Sequence, residues 1–496
     1  MNQLVPFGPG AKVFIVCYLL SLFVVGACGY RARKKHTMRD FYLAGNGIGF
    51  VVLLLTLYST QYSGNTMLGF SGKAYRIGLS WVTCVHFMTA IVVVYLTFAP
   101  KLYRLAKERQ YITPTDFLAD RFGHSGLNTL ATCVMVIAIA NYLLAQLMAM
   151  GNVLEGLAPE GEEAKRQAFY IGVIVLAVII VVYESLGGFR AVVWTDVIQG
   201  TVLVIGFVVL LGTVLDHFGS LGDAASKLME SDELRHKVAV PSDAWQREWF
   251  SYIVLVGLGG ALYPQSIQRI YAARSATTLR RSLMVMSFLP LTTTLIAVIV
   301  GVIAAANIEG LTGDSVLFVV CRQIQERSLF GYCLVVVLFS GVLAAVMSTA
   351  DSVLLSISSM VTKDLYGRLV RPDATERHLT KFGKVFSWLL MAILVVMALQ
   401  LRGTTLVRLL DRKFDLLIQL SPGFLLGIHM KRLNGQGVFY GLAVGVAVSL
   451  MLAFVVNDKP FDMHPGLFGL VANLVIVFVV SYAAKPSHDD PHRQDP

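Results

Sequence analysis

The sequence predicts an all-α polytopic membrane protein with about thirteen transmembrane helices. Two broken helices are expected, placed as in a five-plus-five inverted repeat. Three observations predict this. The 496 residues are 56% hydrophobic and only 15% charged, with a mean hydropathy of +0.67. A soluble chain carries about 25% charge. Apolar runs of spanning length recur from end to end, and two of them are interrupted by residues that suit unwound backbone.

The runs lie at 11–29, 47–72, 80–100, 125–155, 167–187, 192–215, 249–267, 282–306, 329–361, 382–400, 414–430, 437–456 and 465–484. The first is followed by Arg31, Arg33, Lys34 and Lys35. A secretory leader carries its positive charge ahead of the apolar run, so this one reads as a retained helix with its amino end outside. Lys and Arg crowd the connections 30–40, 101–123, 268–281, 362–381 and 429–436. The alternate connections 156–166, 216–248 and 307–328 hold loop acids such as Glu160, Glu162, Glu163 and Asp232, with Glu155 at their edge. That alternation places the amino terminus outside and the carboxyl tail in the cytoplasm. Arg402, Arg408, Arg412 and Lys413 fall on the wrong side of this count. Either their segment folds back against the protein, or its cations attract anionic ligands.

The chain divides into a first helix and basic cytoplasmic loop (1–40), a ten-helix core of two inverted repeats (41–430), two peripheral helices (431–484) and a short cytoplasmic tail (485–496). The net charge of +10 sits in short loops between apolar runs, which is the membrane pattern and gives no reason to expect a nucleic-acid partner. The expected home is a lipid bilayer, as a bacterial inner-membrane protein. The cysteines have no metal-ligand spacing and read as small packed hydrophobes.

The first interrupted run contains Tyr58-Ser59-Thr60-Gln61-Tyr62-Ser63-Gly64-Asn65-Thr66, too polar for a lipid-facing helix. The second contains Gly257, Gly259 and Gly260, followed by Tyr263-Pro264-Gln265-Ser266. Proline removes a backbone hydrogen bond and clashes with the preceding turn. Non-helical backbone at membrane depth survives only where it is buried or lines a cavity. One such run alone reads as a kink. Two, at matching positions in two halves, point to a transporter.

The run 329–361 carries Ser348-Thr349-Ala350-Asp351-Ser352. A carboxylate at membrane depth costs roughly 2.5–3.5 kcal/mol or more and needs an offsetting partner. Ser348 and Ser352 share a helix face, with Asp351 beside Ser348. This oxygen-rich patch suits a small hard cation. Asp351 also has a plainer reading, as an acid bonded to neighbouring hydroxyls or backbone. No catalytic triad, metal cluster or phosphate loop points to an enzyme, and nothing suggests an organic cofactor. A transporter-like sensor and an uncoupled facilitator are the rival classes. The short tail argues against the first and the ion-suited patch against the second. Proton coupling through Asp351 or Asp196 is a variant of the leading reading.

The order and spacing of several motifs resemble the sodium:solute symporter family. They are Asp40-Phe41-Tyr42-Leu43-Ala44-Gly45, Thr115-Asp116-Phe117-Leu118 with Arg121-Phe122-Gly123, and Gly187-Gly188-Phe189-Arg190 through Trp194-Thr195-Asp196. Gln268-Arg269, Ser348 to Ser352, Lys363-Asp364-Leu365-Tyr366 and Gln419-Leu420-Ser421-Pro422-Gly423 complete the set. The resemblance implies a leucine-transporter-like fold and uptake of a small solute with Na+ as coupling ion; the half-helix N-terminal amides freed at the first break favour a carboxylate or amino acid as that solute. It implies a first sodium site from Ser59, Tyr62, Ala345, Ser348 and Thr349. A possible second sodium would use Asp196, Ser348, Asp351 and Ser352, although Asp196 equally suits an ion pair with Arg190. The implied solute positions are Gln61, Asn65, His86, Tyr263, Gln265 and Gln419. His86 and Tyr263 also suit plain packing. Proline-type members carry an aspartate where this chain has Gln61, which speaks against proline. Oligomeric state is not legible in the chain.

Overall fold

The computed structural model describes residues 9–32, 37–45, 47–63, 65–156, 158, 161–311, 315–325, 328–402, 406–456 and 459–483. The expected tail, 485–496, lies outside them. Every regular element among the described residues is helical. In chain order these are α1 (Pro9–Arg31), α2 (Met38–Leu43), α3 (Phe50–Gln61), α4 (Phe70–Ile77), α5 (Thr83–Arg109), α6 (Asp116–Phe122) and α7 (Ser125–Gly156). There follow α8 (Glu162–Gly187), α9 (Phe189–Phe218), α10 (Leu221–Glu230), α11 (Asp243–Ala261), α12 (Pro264–Ala272), α13 (Ala276–Met286) and α14 (Thr294–Asn307). The last are α15 (Val316–Gln325), α16 (Leu329–Met360), α17 (Glu376–Gln400), α18 (Leu406–Leu417), α19 (Gly427–His429), α20 (Gly435–Met451) and α21 (Pro465–Ala483).

Ten helical stretches among the described residues are long and apolar enough to cross a bilayer, or eleven if the bent pair α11 and α12 forms one span. The chain is an integral, multi-pass membrane protein. The helix α16, in the middle of the bundle, is buried almost throughout from Leu334 to Met360. Helices α1 and α17 turn apolar side chains such as Val13, Leu20, Val385 and Leu389 outward, as lipid-facing helices do.

Both breaks have local causes. Helix α3 has 12 residues, about half a membrane span at 1.5 Å per residue. It stops at Tyr62, whose backbone is extended (φ −102°, ψ 91°). The chain re-enters a wide π-type turn at Asn65–Gly69 before α4. Helix α11 ends at Ala261 because Pro264 follows. The residue before a proline is pushed out of the helical region, and Tyr263 adopts φ −55°, ψ 121°. Pro264 then opens α12 at the position where its missing N–H costs nothing, and the two helices meet at a 49° bend.

The segment with the misplaced cations folds back against the protein, the first of the two alternatives, and only its helix start differs from expectation. A helix starts at Leu406 rather than near 414. Arg402 reaches back to Glu155 at 2.7 Å, and Lys413 is 1% exposed. These cations are absorbed by the protein rather than spread along an outer loop. The Arg408 side chain lies outside the described residues.

Helices α8 and α9 join through Gly188, with φ +57° and ψ −149°, a region open essentially to glycine alone. A Cβ there would also sit 2.7 Å from the Phe41 carbonyl oxygen. This turn fixes the start of the helix that carries Asp196. Gly188→Ala is expected to lower the unfolding free energy by about 1–3 kcal/mol, read as a lower melting temperature of the purified protein. A variant melting with the wild type would show that the turn relaxes freely.

Candidate functional site

The break after α3 faces the middle of α16. Ser59, Ala345, Ser348 and Thr349 are all fully buried there. The Thr349 hydroxyl donates to the Ala345 carbonyl at 3.0 Å and lies 3.5 Å from the Ser59 carbonyl. The Ser348 hydroxyl is 3.4 Å from that of Ser59 and donates to Asp196. The extended backbone of Tyr62 takes its carbonyl out of the helical ladder. The Ser59 and Ala345 carbonyls thus meet at the Thr349 hydroxyl. Ser348 stands between this cluster and the next. A hydroxyl that donates to a carboxylate keeps lone pairs for a cation.

Asp196, on α9, does not pair with Arg190. Arg190 holds Asp40 instead, at 2.7 Å. Asp196 is fully buried and meets Arg269 of α12 at 2.8 Å. Arg269 is well partnered: besides Asp196 it donates to Thr56 Oγ1 at 2.8 Å, the Gln265 carbonyl at 3.0 Å and Ser352 Oγ at 2.7 Å. Thr56 in turn donates to Asp196. Asp351 accepts from the Tyr183 hydroxyl and from Ser352 at 3.1 Å. The four residues expected around a second sodium therefore do gather, with a guanidinium among them. Sequence reasoning missed that role for Arg269, having placed it in a motif after the span. The available signal was that it is the sole charge between Glu248 and Arg274.

The solute positions divide. Gln61 donates to the Tyr95 hydroxyl at 2.9 Å, and Tyr95 donates to the Gly260 carbonyl at 3.3 Å. The Gln61 Oε1 and both amide atoms of Gln265 are buried with no hydrogen-bond partner in the protein. Such groups cost about 1–3 kcal/mol each unless something satisfies them. Tyr263 stacks on Tyr142, rings 5.5 Å apart and 7° from parallel. The Asn65 side chain lies outside the described residues. Two expectations land elsewhere. The His86 ring is exposed and lies against Trp249, 5.2 Å between centroids, because its face of α5 points away from the breaks. Gln419 is buried but spent on structure. Its side-chain amide nitrogen donates to Gly466 O at 2.8 Å and Ser449 Oγ at 3.0 Å, and its main-chain carbonyl accepts from Asn473 at 2.7 Å. It ties the core to α20 and α21. Tyr95 and Tyr142, on the other hand, were not anticipated, since aromatic residues in apolar runs read as packing.

The profile of the sodium:solute symporter family matches residues 41–445. A sodium/pantothenate symporter of Haemophilus influenzae is 26% identical, with 93% of this chain and 94% of that protein covered. The osmoregulated proline transporter OpuE of Bacillus subtilis is 25% identical, with 95% of each covered. In fold, the chain matches a Na+-coupled sialic acid symporter with a TM-score of 0.80 at 17% identity, covering 97% of this chain and 98% of the other. The chain belongs to the sodium:solute symporter family and is a membrane transporter rather than an enzyme.

Proposed function

We propose that this protein is a sodium-coupled symporter that imports a small polar organic solute, a carboxylate or amino acid, by alternating access. The observation that carries the reading is the oxygen cluster where the Ser59 carbonyl meets Thr349 Oγ1 and, through it, the Ala345 carbonyl. Unwound backbone supplies carbonyl dipoles, hydroxyls complete the shell, and a sodium ion suits oxygen ligands of this kind. The solute would sit beside it, between the breaks, satisfying Gln61 and Gln265. The matched breaks at Tyr62 and Tyr263 support an inverted repeat within 41–430, with the first helix and α20–α21 peripheral. Counting α3–α4, α11–α12, α13–α14 and α18–α19 as crossings supports about thirteen spans. The basic loops support an external amino terminus and a cytoplasmic tail in a bacterial inner membrane.

The second cluster supports a further cation. Asp196 and Asp351 face one guanidinium, Arg269, so the group as ionised is one positive charge short. A sodium ion or a proton at Asp351 would balance it.

Three outcomes are expected. In proteoliposomes, replacing Ser348 and Thr349 together by alanine should raise the sodium concentration for half-maximal uptake about tenfold or more, since two charge-assisted contacts of about 1 kcal/mol each are lost. An unchanged sodium dependence would sink the first site. Asp351→Asn should reduce by about one the cations moved per solute, measured as charge against flux, or remove the pH dependence of uptake. Wild-type values for both would make Asp351 structural. Gln265→Leu should weaken solute half-saturation about tenfold, the scale of one buried polar contact, while sodium binding without solute stays intact. Equal solute affinity would move the solute elsewhere.

A further inference from the structure

A buried amide in α7 finds no use within the fold. Gln146 is fully buried, and neither its Nε2 nor its Oε1 has a hydrogen-bond partner among the described residues. Gln265 is orphaned in the same way, as is the Oε1 of Gln61. The helix itself directs Gln146 toward the breaks. It follows Tyr142 by four residues on an unbroken helix, so the two share a face, about 40° apart around the axis. The Tyr142 ring stacks on Tyr263 at the second break, with centroids 5.5 Å apart. The far face of α7 is taken by α8. A Cβ on Gly151 would stand 2.4 Å from the Phe169 ring, and Gly151 lies about 140° around from Gln146. Helix α7 also packs against the turn Asn65–Gly69 that follows the first break. Both α3 and α7 follow basic connections, so on the basic-loop reading they run through the bundle in the same direction. The turn of α7 beyond Tyr142 then lies toward the residues that follow the first break.

A glutamine amide offers two N–H donors and two acceptor lone pairs. Leaving them unmet in a dry interior is costly, whereas an apolar side chain of the same shape would carry no such cost. We propose that Gln146 is a further solute contact, and that it reads a neutral amide or hydroxyl set apart from the solute's carboxylate. A carboxylate only accepts, so it would leave the Gln146 oxygen unmet. An ammonium only donates, so it would leave the nitrogen unmet. An amide or a hydroxyl donates and accepts, and serves both ends of the side chain. Gln61 and Gln265 stand at the breaks themselves, where freed helix amides favour the carboxylate. Gln146 stands one helical turn on from Tyr142, about 5.4 Å along the axis. A solute that reaches all three carries its polar group on an arm a few bonds long. The class this describes is a small carboxylate or amino acid with an uncharged hydroxyl or amide on its side arm. The inference rests on the proposed symport function and narrows its substrate.

The test is a thermal-shift titration of the purified full chain in sodium chloride and in choline chloride. The probes are 4-hydroxybutyrate, N-acetyl-β-alanine and L-glutamine, each beside an apolar match of equal length: pentanoate, hexanoate and L-norleucine. At least one polar probe should raise the melting temperature in sodium, with its apolar match needing at least tenfold more. Gln146→Met should melt at or above the wild type without solute, because an amide with no partner is removed. It should keep the stabilisation by sodium alone, need at least tenfold more of the polar probe, and need no more of the apolar match. Gln146→Leu serves if the first variant does not fold. Both variants melting below the wild type without solute would show that the amide is satisfied in the resting protein, by a trapped water for example, and overturns the proposal. So does a wild type that prefers no polar probe, or a preference that survives in the variants. Failure of the symport reading looks different: sodium alone would not stabilise the wild type, or the Ser348/Thr349 double variant would keep the whole sodium response.

Discussion

An ion pair sealed from water joins helices of both halves of this protein. Asp196 on α9 and Arg269 on α12 meet at the centre of the bundle, with Thr56 of α3 and Ser348 and Ser352 of α16 completing their hydrogen bonds. Taking two charges out of water costs several kcal/mol per ion, and losing one partner of such a pair costs about 3–5 kcal/mol. None of these helices can shift alone without stripping a charge of its contacts. Next to Arg269, Gln268 donates to Ser359 at 2.8 Å and accepts from Ser356 at 2.6 Å, which fastens α12 to a further two turns of α16.

This seam adjoins the first unwound segment. Ser348 contributes to it through Asp196 and stands 3.4 Å from Ser59 at the break. Any ion held by Ser59, Ala345 and Thr349 would feel the position of α3 against α16. The Tyr142 ring, which stacks on Tyr263 at the second break and carries Lys413, would feel the position of the second break in the same way. Coupling needs only that each ligand bind one arrangement of these helices better than another. Residues shared between the proposed ion and solute sites would provide the means.

The helices and their breaks were legible in the chain because their causes are local. Apolar length specifies a membrane helix, Pro264 ends α11 by sterics, and the polar run 58–66 cannot face lipid. The oxygen-rich face of α16 was legible too, since Ser348, Asp351 and Ser352 are neighbours by helical spacing alone. Partnership was much less so. His86 and Gln419 are polar residues in apolar helices, as Gln61 and Gln265 are. Only the rotation of α5 turns His86 outward to Trp249, and only the docking of α20 and α21 spends Gln419 on Asn473, Ser449 and Gly466. Asp196 had one candidate cation at the level of sequence, Arg190. The fold gives Arg190 to Asp40 and brings Arg269 from 73 residues away.

By itself, then, the sequence determined that this is a polytopic helical membrane protein, where its backbone departs from the helix, and which face of α16 presents oxygen. These follow from forces acting within a few residues of each other: burial in lipid, backbone hydrogen bonding and proline sterics. Tertiary structure alone decided which buried charges face each other, which amides stay unsatisfied, and that Lys413, a cation out of place by topology, lies among aromatic rings at the second break. Electrostatics in a low-dielectric interior depends on distances of a few ångströms between residues far apart in the chain, and those distances exist only once the helices have packed.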